Sequence, residues 1–538
     1  MVLWLVALIG CSCNPTPGPS LWALGTPPLE VEIDAPAGMR DVVARVEGAV
    51  EPVSAMWTDG STDIEGLVLP ASGTKAGEHW TVTVTDGGGR TARAEYIVPG
   101  PLGGNVLVLL LDDVGVDKVG VYGGTYAART PNIDALAKTG IRFTNAYAAP
   151  VCSPTRSILL TGRYGRRTGM GMITERESRE YALSEAAITI PEALDSAPGP
   201  TWSNGAIGKW HLAGPGAESW ETHPNRQGFD WFAGNRGNPE YRDGRGYFHW
   251  SRNLNGVVED SDTYLTTASV DDALARIADM PEPWFLYVAF NAPHVPLHLP
   301  PQELLSGKMR RNAGNNAKYN AMLEALDTEI GRLLKSVDPA VLERTTVFTL
   351  GDNGTSKSGV PKGRGPGPNR IKHSVFEGGV RIPMIVNGPL VSVPGSTEDE
   401  LVHVADLFPT IADIAGLPLA GEEGEQLVLG DQTVELDGRS LIPLLRGQDV
   451  VVHDFVYSEV FEPNGPGPYT KDNVALRSHT HKLVRNGQQE FLYRIDGWWE
   501  GKELLHTPQG LGPEDQAAYD ALSAELDVLG RKLLYEGR

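Results

Sequence analysis

Three apolar runs, at 105–111, 283–291 and 345–350, constrain this chain more than any other feature. The first, Asn-Val-Leu-Val-Leu-Leu-Leu, shows no polar alternation after its opening residue, so as a strand it must be buried on both faces. Strands of that kind lie in sheets covered by helices. The stretches 266–278 and 318–335 carry the 3.6-residue apolar period such helices need. From Gly104 onward the pattern therefore predicts an α/β domain.

In open α/β sheets ligands gather beyond the carboxyl ends of the strands, so the residues just past each run carry the most information. The 105–111 run ends in Asp112 and Asp113, and the 345–350 run in Gly351, Asp352 and Asn353. The 283–291 run leads through Ala292 and Pro293 to His294, and a short run at 206–208 leads to Lys209, Trp210 and His211. One rim is thus expected to collect hard oxygen ligands, two histidines and a lysine. Asp112, Asp113, Asp352 and Asn353 suit calcium or magnesium better than zinc. A single such pair is more often a turn or a helix cap. Two pairs at two strand ends favour a cation.

The chain has three cysteines, Cys11, Cys13 and Cys152. With two at the extreme N-terminus, no disulfide framework can hold the fold. Cys152 stands in Pro-Val-Cys-Ser-Pro-Thr-Arg (150–156), with Gly162 able to stop a helix. Pro154 suits a first helical position, which places Cys152 just before a helix N-terminus, a favourable seat for a tetrahedral anion. Arg156, one turn in, could fix a nucleophile or that anion. On residue types alone, a structural buried thiol and an activated thiol for phosphoryl transfer both stay open.

The rest of the chain divides by texture. Residues 1–28 read as a signal and tether: the apolar run 2–9 is too short to span a bilayer, and Leu-Ile-Gly-Cys (8–11) resembles a bacterial lipoprotein cleavage box. The expectation is an exported protein, a periplasmic or outer-membrane lipoprotein of a bacterium with a lipid anchor at Cys11. No Lys or Arg precedes the run, which leaves plain secretion as the alternative. Residues 29–100 alternate in short bursts (31–33, 42–46, 80–85) that predict an immunoglobulin-like β-sandwich. Residues 99–104 are a Pro/Gly linker, 104–449 the α/β domain, and 450–538 an antiparallel subdomain with strands at 455–461, 474–484 and 490–495 and a helix from Pro513. The formal net charge of −22 argues against nucleic-acid binding.

Cys152-x-Pro154-x-Arg156 is also the core of a family signature, and the chain resembles the formylglycine-dependent sulfatases, arylsulfatase type, of the alkaline-phosphatase-like superfamily. Similar segments recur in family order: 130–134, 140–147, 159–163, 208–212, 292–294, 351–354, 377–383, 437–441 and 475–483. The resemblance runs from about Asn105 to the C-terminus. It implies a large mixed, mostly parallel sheet with a smaller C-terminal antiparallel sheet, the N-terminal sandwich being an addition. It implies a sulfuric ester hydrolase in which a formylglycine-generating enzyme oxidises Cys152 to an aldehyde whose hydrate attacks sulfur. The hydrate's second hydroxyl then allows sulfate to leave, which a serine could not do. It further implies that Asp112, Asp113, Cys152, Asp352 and Asn353 bind Ca2+, with Mg2+ possible. Arg156 would orient residue 152, and His211 would be the base for sulfate release. Lys209, His294 and Lys372 would hold sulfate oxygens, His294 or Lys372 protonating the leaving alcohol. His373 stands where the family has glycine. The substrate is then a small-molecule or glycan sulfate ester. A phosphonate or phosphodiester hydrolase, and a non-catalytic binder of sulfated glycans, are the alternatives.

Between Asn353 and Lys372 lies a Gly/Pro-rich stretch with Lys357, Lys362, Arg364 and Arg370. It must border the pocket mouth. It either guides anionic substrates or is ordinary solvated loop.

Overall fold

A computed structural model describes residues 29–34, 42–47, 49, 53–58, 63–69, 79–97, 102–175, 178–239, 246–421, 425–430, 432–507, 510–533 and 535. The signal and tether with Cys11 and Cys13, and linker residues 99–101, lie outside them. The chain divides into two compact units, one of residues through Gly103 with Ala412–Val434, the other of Gly104–Ile411 with Glu435–Arg538.

In the first unit, strands Glu30–Asp34, Val42–Glu47 and Val68–Leu69 form one antiparallel sheet. Ser54–Thr58, Asp63–Glu65, His79–Thr85 and Thr91–Ile97 form a second. Alternate residues point inward, and Ala44, Ala55, Trp57, Trp80, Val82 and Val84 make the core of this sandwich.

The second unit is built on a ten-stranded sheet. Its strands in chain order are β1 (Asn105–Leu111), β2 (Ile141–Tyr147), β3 (Ser203–Lys209), β4 (Trp231–Asn235) and β5 (Trp250–Leu254). β6 (Val257–Ser261), β7 (Trp284–Ala289), β8 (Thr345–Gly351), β9 (Arg381–Asn387) and β10 (Thr397–His403) complete it. The spatial order is β6-β5-β4-β3-β7-β1-β8-β9-β2-β10. The consecutive strands β4, β3, β7, β1 and β8 are all parallel. β9 runs against both β8 and β2, so β2 shares the direction of β1. Every residue of β1 and β8 is buried, as their unbroken apolar runs require.

Helices α1 (Pro131–Thr139), α3 (Leu265–Asp279) and α4 (Asn315–Ser336) cover one face, packing Ile133, Val270, Ala273, Met322, Leu326 and Ile330 into one core with Leu107, Leu109 and Leu286. The two predicted helices are α3 and α4. Between α1 and α3, α2 spans Cys152–Thr161, capped by Gly162 at φ 66°. The helix therefore begins at Cys152 itself, with Val151 as its N-cap, and Pro154 sits third. That position tolerates proline because its missing N–H is one of those left unbonded in a first turn.

The C-terminal region is an antiparallel meander of Val456–Glu462, Lys471–Arg477, His481–Asn486, Gln489–Asp496 and Trp499–Glu503, followed by a helix at Pro513–Lys532. The stretch 474–484, read as one strand, is two. Ser478 turns the chain between them, its N–H on His481 O at 2.9 Å and its hydroxyl accepting from His481 N–H at 3.1 Å. No helix among the described residues is long and apolar enough to cross a membrane.

Candidate active site

Four adjacent parallel strands end on one rim, as the apolar runs predicted. β1 delivers Asp112 and Asp113, β8 delivers Asp352 and Asn353, β7 leads to His294, and β3 ends in Lys209 with His211 beyond it. A fifth strand, β2, leads through 148–151 into α2 and so to Cys152 and Arg156. Lys372 arrives from the connection between β8 and β9. All ten predicted site residues are buried, His294 being the most exposed at 9%.

The backbone is drawn tight to bring them together. Asp113 and His211 take left-handed conformations at φ 67° and 60°, which side-chain-bearing residues adopt at a cost. Gly208 has φ 87°, and a Cβ there would lie 2.2 Å from Ala289 O on β7. Only glycine lets the end of β3 approach β7 so closely.

The contacts form one network. Cys152 Sγ donates to Asp112 Oδ1 at 3.3 Å and accepts from Lys372 Nζ at 3.1 Å. Lys372 Nζ also pairs with Asp113 Oδ1. Lys209 Nζ donates to Asp112 Oδ2 at 2.5 Å and to Asn238 Oδ1 at 2.6 Å. Arg156 binds Lys209 O at 2.7 Å and Asp352 Oδ2 at 2.9 Å, tying the helix to two strand ends. Asp352 Oδ1 accepts from Asp113 N–H at 2.9 Å, and Asn353 Nδ2 donates to Asp113 Oδ1 at 3.1 Å. His294 Nε2 stands 4.0 Å from Asp113 Oδ2. His211 has neither ring nitrogen hydrogen-bonded, and Glu175 Oε1 lies 3.7 Å from its Nε2.

Burial by itself would push the carboxyls up. Lys209, then His294, Lys372 and Arg156, override it and hold Asp112 well below the usual carboxylate range. Lys372 and His294 likewise hold Asp113 below its ordinary value. Burial and the neighbouring Asp112 push Asp352 up to about 6. Against its own burial, Lys372 is held well above the lysine range, by Asp113 first. Burial, followed by Asp112 and Asp352, pushes the Cys152 thiol up. Burial and Lys209 push His211 down to about 3, leaving it a neutral imidazole.

The carboxylate and amide oxygens gathered here suit a hard cation. Asp112, Asp113, Cys152 and His294 each offer an atom within 4.8 Å of the others. Asn353 Oδ1 is buried with no hydrogen-bond partner, an acceptor whose burial a cation would compensate. Asp352 stands outside that four-residue group, its carboxylate turned to Arg156 and the Asp113 N–H.

Three positioning residues were not read from the sequence. Asn238 follows β4, whose Trp-Phe-Ala-Gly-Asn is too broken to read as a buried strand; the strand-end rule would otherwise have found it. Tyr319 on α4 donates to Asp113 O at 2.5 Å, and Tyr247 to Asn291 O at 2.6 Å and His294 O at 2.8 Å. Neither has a local sequence signal, because both act across long separations.

Comparison with known proteins gives a consistent result. A family model described as Sulfatase matches residues 104–417, which hold every residue of this site. N-acetylgalactosamine-6-sulfatase of Sus scrofa is 31% identical over 370 residues, 64% of this chain and 66% of that protein, so the chain spans just under two thirds of its length. The crystal structure of Ps i-CgsB in complex with k-i-k-neocarrahexaose is similar with a TM-score of 0.64 and 25% identity, covering 79% of this chain and 92% of that one. The phosphonate monoester hydrolase of Agrobacterium radiobacter shares the fold with a TM-score of 0.57 over 80% of this chain and 96% of its own, at 18% identity.

Proposed function

The chain belongs to the sulfatase family, and from that premise we propose that it hydrolyses a sulfate ester through residue 152 with a divalent cation. The observation that carries the proposal is the charge balance at the site. Three buried carboxylates, Asp112, Asp113 and Asp352, meet three buried fixed cations, Arg156, Lys209 and Lys372. A divalent cation added to that balanced set would leave the site two charges positive, the condition for drawing an anionic ester into an acidic protein.

Formylglycine, when formed at Cys152, supplies paired hydroxyls that permit attack on sulfur and later release of sulfate from one residue. A cation held by Asp112, Asp113, residue 152, Asp352 and Asn353 would supply charge against the nucleophile's oxygen, calcium being the expected ion and magnesium the alternative. The remaining steps fall to the chain's own side chains. Arg156 fixes the start of α2 against β3 and β8, so residue 152 is aimed by a rigid frame. Lys209 and Lys372 present ammonium groups, and His294 an imidazole, to the sulfate oxygens. His211, neutral and with neither ring nitrogen hydrogen-bonded, takes the proton as sulfate departs. His294 or Lys372 protonates the leaving alcohol.

The relatives are a GalNAc-6-sulfatase and a protein crystallised with a neocarrahexaose, so the proposed substrate class is a sulfated saccharide. Export with a lipid anchor at Cys11, after maturation by a formylglycine-generating enzyme, belongs to the same proposal. The test is a side-by-side assay of aryl sulfate and aryl phosphonate esters on matured protein. Turnover of the sulfate is expected to dominate, and preference for the phosphonate would reassign the reaction. Binding of sulfated glycan without turnover of either ester would leave a non-catalytic binder.

A further inference from the structure

The connection from Asn353 to Lys372 begins and ends in the site, and it is built rather than slack. Its base is closed by Lys372 N–H donating to Thr355 O at 3.2 Å. Inside, the chain passes through three hydrogen-bonded turns: Gly359 N–H to Ser356 O at 2.9 Å, Arg364 N–H to Pro361 O at 3.0 Å, and Arg370 N–H to Gly367 O at 3.2 Å. Gly363, Gly365 and Gly367 take φ of 72°, 80° and 100°, while Pro361, Pro366 and Pro368 fix φ between them. Asn316 Nδ2 fastens Gly359 O from α4, and Arg370 lies over the rings of Phe376 and Tyr493 at 4.8 and 4.9 Å.

The charge on this connection runs against the rest of the molecule. The chain carries 68 acidic and 46 basic residues, yet residues 353–376 hold five cations and no Asp or Glu. Lys372 is spent in the site and Arg370 on its two rings. Lys357, Lys362 and Arg364 are exposed, and none of the three side chains has a hydrogen bond or ion pair among the described residues. The middle turn sets Lys362 and Arg364 on either side of Gly363. An acidic protein offers many carboxylates to pair with, so a connection that starts and ends in the site and leaves three cationic side chains unpaired holds them for an anion from outside.

Building on the sulfate-ester reading, we propose that Lys357, Lys362 and Arg364 form a second anion subsite at the mouth of the site. It selects esters that carry a further negative group, a polysulfated saccharide over a singly charged ester. The reacting sulfate is held by the buried residues, and the second group meets the turn.

The test uses 4-nitrophenyl sulfate hydrolysis as the reporter, with inorganic sulfate and sucrose octasulfate as competing probes. In Lys362→Glu/Arg364→Glu the inhibition constant of octasulfate is expected to rise about ten-fold or more, and less in Lys362→Gln/Arg364→Gln. Inhibition by inorganic sulfate and kcat/KM for the aryl ester should stay within about two-fold, because the turn lies outside the buried site. The octasulfate effect should shrink as salt rises from about 0.05 to about 0.5 M. Equal shifts for both inhibitors, or none for either, would overturn the subsite. If the protein turns over no aryl sulfate, the reaction assignment fails instead. Calorimetric titration of octasulfate onto the same variants then still decides the subsite, an unchanged Kd counting against it.

Discussion

Lys372 Nζ touches Asp113 and Cys152 Sγ from a side chain that is itself buried, so its charge acts on residue 152 and the carboxylates at once. Lys372→Met is expected to lower kcat for an aryl sulfate about 100-fold, the usual scale for losing a preorganised charge at a reacting centre. The same change strips Asp113 of its partner, a loss of about 3 kcal/mol for a broken buried pair. Added calcium should recover the thermal stability, by supplying positive charge to the carboxylates, and leave kcat low. A variant that keeps kcat within a few-fold would remove Lys372 from the mechanism. At Cys152 the expected outcome is covalent. Trypsin releases residues 143–156 as one peptide, and its mass should show the aldehyde in protein from a host with the maturing enzyme. A free thiol throughout such material, with activity intact, would refute formylglycine here.

Trp210, between the two site residues of the β3 turn, is held from below. Its Nε1 donates to His223 Nδ1 at 2.9 Å, which obliges His223 to carry its proton on Nε2 and give it to Leu183 O at 3.0 Å. Leu183 N–H in turn donates to Leu212 O at 2.8 Å, so the turn is fastened on both sides. A protonated His223 could not accept from Trp210, and burial pushes its pKa from 6.5 down to about 4. Because the folded value lies below the unfolded one, the stability His223 contributes is fully present above pH 6.5 and is lost as pH falls towards 4. The loss amounts to about 3 kcal/mol at most. His223→Gln should therefore be less stable than the parent at pH 7, and the gap should close by pH 4.5 in unfolding midpoints. A gap that is constant with pH would mean His223 is not the titrating group. The same element shows where sequence reading reaches its limit. Runs such as 105–111 and 345–350 declare their burial in every residue, so β1 and β8 and the four buried polar residues after them were legible. β4, β5 and β6 were not, because strands toward a sheet edge are apolar only in part, with Val257–Ser261 largely exposed. In the sandwich, Ser54–Thr58 went unread since only Ala55 and Trp57 of its five residues face inward. Lys372 was legible only through family resemblance, and Asn238, Tyr247 and Tyr319 only through the fold.

For the whole molecule, a net charge of −22 complicates any statement about divalent cations, since an acidic surface gathers them loosely everywhere. The proposed site would differ in affinity and in address. A cation that binds only the folded larger unit stabilises it by mass action, about 2.7 kcal/mol at one hundred times its dissociation constant. Two compact units need not melt together, so the expectation concerns one transition: that of the unit containing Asp112, Asp113 and Asp352. Its midpoint should fall on chelation and return with micromolar calcium, while the other transition stays still. Diffuse surface binding would instead move both, need far higher concentration and fade with added monovalent salt. Asp113→Asn is the discriminating variant. It removes a ligand charge from the four-residue group around Cys152 and leaves the surface charge almost untouched. The calcium response of the larger unit should disappear with it. A full response in the variant would place the bound cation elsewhere, and no response in either protein would leave the buried Asn353 oxygen without the partner argued for it.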